Sequence, residues 1–571
     1  MIEREWIIQA PDPGAIARLI KEVGVSDVVA GLMVNRGIVE PAEARDWLAP
    51  RLRDLEDPAG LRDMQASVEL LLSHLDAGNR VTIYGDYDVD GMTASSTLAR
   101  FLRLCGYAPQ VFLPDRFRDG YGVNVDRVRD LVEEGTRLFV TVDCGVTAVQ
   151  QITVARELGA DFIVVDHHQL PEGDLPPANA IINPHHPDCT FPFDDLCAAG
   201  LAFHLVMALR VELRKRGHFD GKTEPDVRDL LDIVAIGTIA DVVPLRGINR
   251  ILVANGLLRL PHSPHPGVRA LTALSARSNK VNAGTVAFQI GPRLNAAGRL
   301  SHPMKGFEIL ATDDPERAQA IATDIDEENK RRRVVQDQIE EQALEQALSQ
   351  QGEHAAAYVL WDETWHPGVA GIVAARMVQR FHRPCAVLAV ADGIAKGSIR
   401  SIKGFDAVAG LRRCADVLKQ FGGHAHAAGV TVELDNLPAF RAAFEKAARD
   451  TLKPEDYVPR LKIDAAVRFP RLDGQLLDEF ERMAPFGAGN PEPRLCTHNA
   501  TVVRTRTVGA DGSHLKLWLE DDGIRLDAIA FGWGDRAPAA GASVDVAYRP
   551  EFNEWQGNVS LQLRIVDMKV H

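Results

Sequence analysis

Between about residues 78 and 310 the chain repeats one pattern, a short apolar run rich in Val and Ile followed by a longer segment with helical spacing of its apolar positions. Val81-Thr-Ile-Tyr-Gly85 leads into Met92-Thr-Ala-Ser-Ser-Thr-Leu98, and Leu138-Phe-Val-Thr-Val142 leads into Thr147-Ala-Val-Gln-Gln-Ile152. Phe162-Ile-Val-Val165 and Ala180-Ile-Ile182 follow, then helical runs around 197–215 and 226–238, and Ile236-Gly-Thr-Ile-Ala240 reads as a last short apolar run. Runs without polar alternation are strands buried on both faces, so the pattern predicts a doubly wound α/β domain on a parallel sheet. Residues before about 75 read as a helical preface, with Pro41 opening one amphipathic helix. The stretch 314–350 has no Gly or Pro after its opening turn and reads as one long connecting helix. A smaller α/β unit follows, with strands near Tyr358, Cys385, Ser398 and Thr431 and a Gly-rich loop at Phe421–Gly429. From about 456 the period shortens to even, alternating segments, the mark of a small closed β-barrel. The resulting division is 1–75, 76–312, 313–352, 353–452 and 453–571.

Composition limits this picture without redrawing it. A chain of 571 residues exceeds what one hydrophobic core supports. The first residues hold no basic segment followed by an apolar run, and no uninterrupted apolar stretch is long enough to cross a bilayer, so the expectation is a cytoplasmic protein without membrane attachment. Seven scattered Cys with no Cys-x-x-Cys pair argue against a disulfide framework and a structural zinc site. A net charge of −15 excludes coating of nucleic acid by bulk electrostatics, so any polyanion must be met locally. Arg116, Arg118, Arg293, Arg299 and Arg400 are candidates for that, whereas Lys330-Arg-Arg-Arg333 reads as a solvated helix face.

The chemistry lies just past the apolar runs. Asp86, Asp88 and Asp90 follow the first, Asp143 the second, Asp166-His167-His168 the third, and Asp241 the last. Ligands of parallel sheets bind at the strands' carboxyl ends, so these groups are expected to converge. A single Asp in such a place is more often a helix cap or turn former. Several at consecutive run ends, with no matching Lys or Arg, would repel one another unless multivalent cations hold them. Asp88 and Asp90 can reach one shared site, Asp143 can bridge two ions, His167 offers a nitrogen, and Asp241 closes the set; Asp86 and Asp166 either ligate or orient a ligand. Oxygen donors with one imidazole suit two Mn²⁺ or Mg²⁺ ions rather than structural zinc. Paired ions of this kind, roughly 3.5–4 Å apart, serve phosphoester or phosphoanhydride hydrolysis.

Six segments taken together, Gly85-Asp-Tyr-Asp-Val-Asp-Gly91, Thr141-Val-Asp-Cys-Gly145, Val164-Val-Asp-His-His168, Gly237-Thr-Ile-Ala-Asp-Val-Val-Pro-Leu245, Gly291-Pro-Arg-Leu-Asn-Ala-Ala-Gly-Arg299 and Phe421-Gly-Gly-His-Ala-His-Ala-Ala-Gly429, resemble the ordered motifs of the DHH phosphoesterase superfamily. With the long linking helix, Gly397-Ser-Ile-Arg-Ser401 and the segment opening at Met483-Ala-Pro-Phe-Gly-Ala-Gly-Asn-Pro-Glu-Pro493, the chain resembles the bacterial RecJ exonucleases over nearly its whole length. The resemblance implies a DHH-type parallel-sheet domain, a smaller DHH-associated α/β domain and an OB-type barrel, and a 5′-to-3′ exonuclease specific for single-stranded DNA in recombination and repair. It implies Asp88, Asp90, Asp143, His167 and Asp241 as metal ligands, Asp86 as a further one, and His168 near the scissile phosphate. Arg116, Arg299, Ser398, Arg400 and His424 match positions near the DNA, and Arg293 and Asn295 join them as substrate-binding positions. The implied partners are a strand with a 5′ end, a single-strand-binding protein and a helicase, the enzyme acting as a monomer. A DHH hydrolase of polyphosphate, cyclic dinucleotides or short RNA would use the same ions; what speaks against it is a third domain in which Trp518, Phe531, Trp533, Tyr548, Phe552 and Trp555 alternate with Arg504, Arg506, Lys516, Arg525 and Arg549, a mixture suited to stacking bases beside a phosphate backbone.

Overall fold

The computed structural model describes residues 3–116, 118–120, 122–275, 281–300, 302–350, 352, 354–555 and 558–571, and the side chains of all of these except 300, 350, 553–555, 558 and 559. Two compact units divide the chain, one of Ile8–Ile325 with Lys462–His571, the other of Met1–Ile7 with Asp326–Leu461. Among the described residues no helix is long and apolar enough to cross a membrane.

The strand Glu5–Ile8 (β1) precedes three helices, Pro13–Val23, Asp27–Asn35 and Pro41–Leu48. The central sheet follows: Arg80–Gly85 (β2), Gln110–Phe112 (β3), Thr136–Val142 (β4), Asp161–Val165 (β5) and Ala180–Ile182 (β6), all parallel, in the order β3-β2-β4-β5-β6. The absence of alternation is explained by two cores. Val81, Ile83, Val140, Val142, Ile163 and Val165 pack beneath the helices Val89–Leu104, Ala198–Lys215 and Leu231–Ala240. Tyr84, Phe139, Phe162 and Val164 point the other way, against Val125–Glu133 and Val149–Glu157. Both faces are therefore buried, as the apolar runs require.

Ile236–Ala240 corrects the sequence expectation: it is the end of the helix Leu231–Ala240. Every residue from Leu231 to Ile239 is buried, and a helix apolar on all sides cannot be told from a buried strand by periodicity.

The smaller unit holds most of the long helix Pro315–Gln350, which runs to 36 residues. Its sheet comprises Tyr358–Asp362 (β7), Cys385–Ala391 (β8), Ile394–Arg400 (β9), Gln420–His424 (β10) and Ala427–Glu433 (β11) in the order β10-β11-β9-β8-β7. The expected Gly-rich loop is in fact a hairpin between the edge strand β10 and β11: Gly422 pairs with Gly429 and His424 with Ala427. Glycine weakens strand propensity, so only the register with β11 makes this segment extended. Lys330 and Arg333 are exposed as expected, but Arg332 is buried and bonds Asn329 and Gln336 along its own helix face.

After Arg460–Ile463 (β12), which pairs with β1, and Ala465–Ala466 (β13), the helix Gly474–Met483 leads to Leu495–Val508 (β14), His514–Asp521 (β15), Ile524–Ala530 (β16), Ser543–Trp555 (β17) and Asn558–Val570 (β18). These pair in the cycle β14-β15-β16-β18-β17, and β17 returns to β14, closing a five-stranded barrel. Leu515, Leu517 and Leu519 face inward between Lys516, Trp518 and Glu520, the period-two pattern of a wall with one dry side. Leu19, Val29, Met33 and Trp47 of the first three helices share this barrel's core with Phe480, Met483 and Tyr548.

Candidate metal centre

Three neighbouring strands end at one place. The chain leaves β2 into Asp86, β4 into Asp143 and β5 into Asp166-His167-His168, and Asp86 N–H still donates to the Val142 carbonyl and Asp143 N–H to the Val165 carbonyl (3.2 and 3.1 Å). The sheet ladder thus fixes the loops on which the functional groups stand. Asp143 has a φ of 65°, an uncommon backbone state for a residue other than glycine and a mark of a constrained site. Gly91 lies inside the helix Val89–Leu104, where a Cβ would come within 2.3 Å of the Asp86 carbonyl oxygen. It is the close approach of the Asp86 loop, and not a turn before the helix, that demands glycine there.

Asp88 caps that helix, its Oδ1 accepting from Asp90 N–H and Gly91 N–H at 2.9 and 3.2 Å, so capping and clustering coexist in one side chain. Asp90 is buried; its two oxygens accept from the backbone N–H groups of Ala198 and Ala199 at 2.7 and 2.9 Å. These donors open the helix Ala198–Lys215, whose first turn has no side-chain cap of its own. A carboxylate from elsewhere in the chain satisfies the helix end and is favoured by its dipole. The sequence carried one trace of this, a long helix opening Cys-Ala-Ala without Ser, Thr, Asp or Asn. Asp241, at the carboxyl end of the helix Leu231–Ala240, completes the group.

His167 Nε2 stands 3.2 Å from Asp143 Oδ1 and 3.7 Å from both Asp90 Oδ2 and Asp241 Oδ2. Ligand atoms of Asp86, Asp88 and Asp143 lie within 4.8 Å of one another, as do those of Asp90, His167 and Asp241, and of Asp143, His167 and His168. Burial and mutual repulsion raise these carboxyls: Asp241 to about 9, helped by Asp90 and Asp88; Asp86 to about 8, mainly against Asp88; Asp90 to about 6, where the Ala198 and Ala199 N–H groups restrain it. Asp143 is pushed well above the carboxylate range by burial and by Asp88, Asp90, Asp86 and Asp241 together. Burial lowers His167 to about 4, leaving its imidazole neutral and able to donate a lone pair. Asp86 Oδ1 is buried with no hydrogen-bond partner among the described residues. A buried lone pair and several crowded carboxylates without matching cations are what divalent metal ions would resolve, and oxygen donors with one neutral imidazole fit Mn²⁺ or Mg²⁺.

Asp166 differs from its neighbours. It accepts from Val146 N–H and from both the backbone N–H and Nδ1 of His168, at 2.9, 3.1 and 2.7 Å. These donors overcome its burial and lower its pKa, while the same bond and the surrounding carboxylates raise that of His168 although burial opposes it. Asp166 thus orients His168 and holds its proton.

The remaining sequence-predicted residues fall in three places. Arg116 lies flat over Tyr87, 4.3 Å from its ring centroid, its charge favours an ionised Asp86, and its Nε has no hydrogen-bond partner among the described residues. The helix Gly291–Leu300 carries Arg293, Asn295 and Arg299, and its Gly298 fits against the Tyr87 carbonyl, where a Cβ would be 2.9 Å away. Arg293 is buried and donates to the Gln289 and Leu274 carbonyls at 2.9 and 3.3 Å. In the smaller unit Ser398 and Arg400 stand on β9 beside Gly371 of the helix Pro367–Phe381, and a Cβ on Gly371 would meet Arg400 Nη2 at 3.0 Å and Ser398 Oγ at 3.2 Å. His424 is exposed, two strands across the same sheet end: it pairs with Ala427, and Ala427 with Arg400.

Residues 80–238 match the DHH family N-terminal domain, 352–450 the DHHA1 domain, and 463–567 the RecJ OB domain. The chain is 36% identical to the single-stranded-DNA-specific exonuclease RecJ of Bacillus subtilis over 99% of its own length and 71% of that protein's. It superimposes on RecJ of Thermus thermophilus in complex with Mn²⁺ with a TM-score of 0.84 at 32% identity, covering 99% of this chain and 79% of that one. Against the Mg²⁺ complex of the same protein the TM-score is 0.79 at 31% identity, over 99% and 78% of the two chains. Catalytic sheet, associated domain and barrel are matched in one continuous alignment, and the chain belongs to the RecJ family.

Proposed function

We propose that this protein is a metal-dependent exonuclease that removes nucleotides from single-stranded DNA, 5′ to 3′, in recombination and repair. The observation that carries this reading is the buried carboxylate cluster with its neutral imidazole, on a frame shared with relatives named for that activity. Asp86, Asp88 and Asp143 would hold one Mn²⁺ or Mg²⁺ and Asp90, His167 and Asp241 the other, Asp143 reaching both. Such ions, when bound, neutralise the scissile phosphate and supply a water activated near neutral pH. His168, kept protonated by Asp166, donates to a phosphate or leaving oxygen. Arg116 on Tyr87 offers a phosphate its planar guanidinium, with Asn295 and Arg299 on the helix whose Gly298 meets the Tyr87 carbonyl, while Arg293 braces that helix.

Polarity belongs to the smaller unit. Ser398, Arg400 and His424 at one sheet end suit a terminal phosphate, and among the described residues Arg400 Nη1 donates to the neighbouring Ile399 carbonyl alone. The functional division follows the chain: 76–312 for chemistry, 353–452 for the strand's 5′ end, 453–571 for holding the strand, with 1–75 and 313–352 joining them. On the barrel, Trp518 stands outside beneath Arg504 at 4.3 Å, and Phe531 is exposed against His514. Trp533 and Tyr548 face the core instead, Phe552 is exposed, and the Trp555 side chain lies outside the described residues. Trp518, Phe531 and Phe552 are thus the stacking candidates. An enzyme confined to single strands needs duplexes opened, so a helicase and a single-strand-binding protein are its partners, and a monomer in the cytoplasm suffices.

The test is the product pattern on 5′-labelled and 3′-labelled single strands and on duplex, with Mn²⁺, Mg²⁺ and chelator. Mononucleotides released from the 5′ end of single strands only, and only with metal, are expected. Equal attack on both ends, or cleavage of pyrophosphate or cyclic dinucleotides in place of DNA, would overturn the assignment.

A further inference from the structure

The segment that carries Asp86 and Asp88 also carries two tyrosines, and both reach one neighbouring loop. Tyr84 lies on β2, and Tyr87 stands between the two carboxylates just past it. The loop runs from β3 to the helix Val125–Glu133 and holds Arg116. Tyr84 is fully buried, and its hydroxyl donates to the Gly122 carbonyl at 3.3 Å and accepts from Asn124 N–H at 3.2 Å. The Asn124 amide donates to the Asp119 carbonyl at 3.0 Å, while its oxygen caps the helix by accepting from Asp126 N–H and Arg127 N–H. The Asp119 carboxylate accepts from Asp115 N–H and Arg127 Nε at 2.7 and 2.8 Å. Hydrogen bonds thus fix the backbone on both sides of Arg116, and the buried Tyr84 hydroxyl anchors the loop's return to the sheet.

The Arg116 side chain is held in another way. It lies on the Tyr87 ring, 4.3 Å from the centroid, and its Nε is buried without a hydrogen-bond partner among the described residues. A ring face attracts a guanidinium and sets its plane without using the donors that lie in that plane. Two-point binding of a phosphate needs this control, because a guanidinium turned out of plane loses one of its two bonds. The Tyr87 backbone meets the helix of Asn295 and Arg299 as well, since a Cβ on Gly298 would stand 2.9 Å from its carbonyl oxygen. Tyr87 is therefore the residue at which the metal-binding loop touches both elements that carry phosphate-binding groups.

We propose that Tyr87 is a positioning residue, whose ring sets the plane in which Arg116 meets a phosphate of the strand, in register with Asp86 and Asp88, while Tyr84 holds the loop from which Arg116 reaches it. This rests on the exonuclease reading and on the phosphate contact given there to Arg116, and adds what orients that contact. The two tyrosines work through different parts. At 87 the ring acts and the hydroxyl does not, whereas at 84 the hydroxyl acts.

Full-length protein carrying Tyr87→Leu, Tyr87→Phe or Tyr84→Phe would be compared with the unaltered protein, each with Arg116 intact and with Arg116→Ala. Three properties are measured: Kd for a fluorescent oligothymidylate in chelator, KM and kcat for nucleotide release with Mn²⁺, and the Mn²⁺ concentration giving half the rate. Tyr87→Leu is expected to raise Kd and KM about threefold to thirtyfold, the range of a guanidinium–ring contact from exposed to desolvated. Its kcat should change less and its half-saturating Mn²⁺ not at all, and Tyr87→Phe should match the unaltered protein. Tyr84→Phe should raise the same two constants roughly twofold to tenfold, the scale of one hydrogen bond. With Arg116→Ala in place, none of the three should add a further loss. Losses of equal size with and without Arg116, or a half-saturating Mn²⁺ that climbs with KM, would show that Tyr87 supports the carboxylates instead and would overturn the proposal. Unchanged Kd and KM in Tyr87→Leu would overturn it too, with the exonuclease reading intact. Should Tyr87→Leu fail to fold, Tyr84→Phe decides by the same comparison. Failure of the unaltered protein to bind or degrade single strands would overturn both.

Discussion

The metal centre and the joint beneath the barrel both bury charge in the larger unit, and they treat it in opposite ways. At the joint the charges are guanidinium groups held by carbonyl oxygens of the chain. Arg250, 2% exposed, donates to the Trp47 and Ala484 carbonyls at 2.8 and 2.7 Å and stacks on the Trp47 ring at 4.3 Å. Arg36 donates to Asn490 Oδ1 and to the Leu32 and Pro491 carbonyls at 2.8, 2.8 and 2.7 Å. Burial and the nearby Arg36 charge lower Arg250 to about 9, which still leaves it charged near neutral pH. At the metal centre the charges are carboxylates that raise one another's pKa, and Asp86 Oδ1 accepts nothing from the described residues. A buried charge that serves the fold is paired by the fold; one kept for chemistry faces a place where a counter-charge is to arrive.

The largest effect that would test this contrast is at Asp143. Asp143→Ala should lower kcat/KM by more than about a thousandfold, since several kcal/mol of transition-state stabilisation depend on the ions it would share. The chelated variant should melt no lower than the parent, because a repelling carboxylate has gone. A folded variant that keeps its activity would remove Asp143 from the centre, and one that melts much lower would make it a structural group.

Arg250→Ala should do the reverse. Removing the buried guanidinium leaves carbonyls without donors and costs about 3–5 kcal/mol. Denaturant midpoints should fall by a corresponding amount, while turnover per folded molecule stays near the parent value. Unaltered midpoints would show that the joint is held by packing alone.

A third, smaller effect is the pH dependence of the metal-free protein. Asp90, Asp86 and Asp241 bind their protons more tightly folded than unfolded, with folded values of about 6, 8 and 9 against an ordinary 3.8. The stability they contribute is complete below about pH 4 and is lost as pH rises through those values. Melting temperature in chelator should therefore fall between pH 5 and 9, and Mn²⁺ should flatten the slope. A flat profile in chelator would mean that the carboxylates are relieved by something other than metal.

The smallest effect is on the barrel. Trp518→Ala on the outer wall should weaken binding of long single strands by about 1–3 kcal/mol without altering hydrolysis of very short ones. Tyr548→Phe, at a fully buried ring whose hydroxyl bonds Thr497 at 2.8 Å, should change stability and leave DNA affinity alone. Binding loss of equal size in both would erase the distinction between outer and inner aromatics.

Much of this was legible in the sequence, because the signals are local. A Val- and Ile-rich run followed by Asp announces a buried parallel strand with an acidic loop at its carboxyl end, and that sufficed for Asp86, Asp143 and Asp166-His167-His168. The long helix and the alternating barrel walls were equally plain, since their periods are written in consecutive residues. Asp241 was placed correctly in the cluster but on the wrong element, because an all-apolar helix has no period to read.

Only the tertiary structure decided the rest. That Asp90 fills the bare end of the helix Ala198–Lys215, 108 residues away, and that Arg36 meets Asn490 across 454 residues, no local pattern encodes. The same holds for which barrel aromatics turn inward, and for the sharing of one core by the first three helices and the last domain. The physical reason is that hydrophobic period specifies an element and its buried side, whereas the partner that covers that side, and the donors that reach a buried charge, are set by packing between segments remote in the chain.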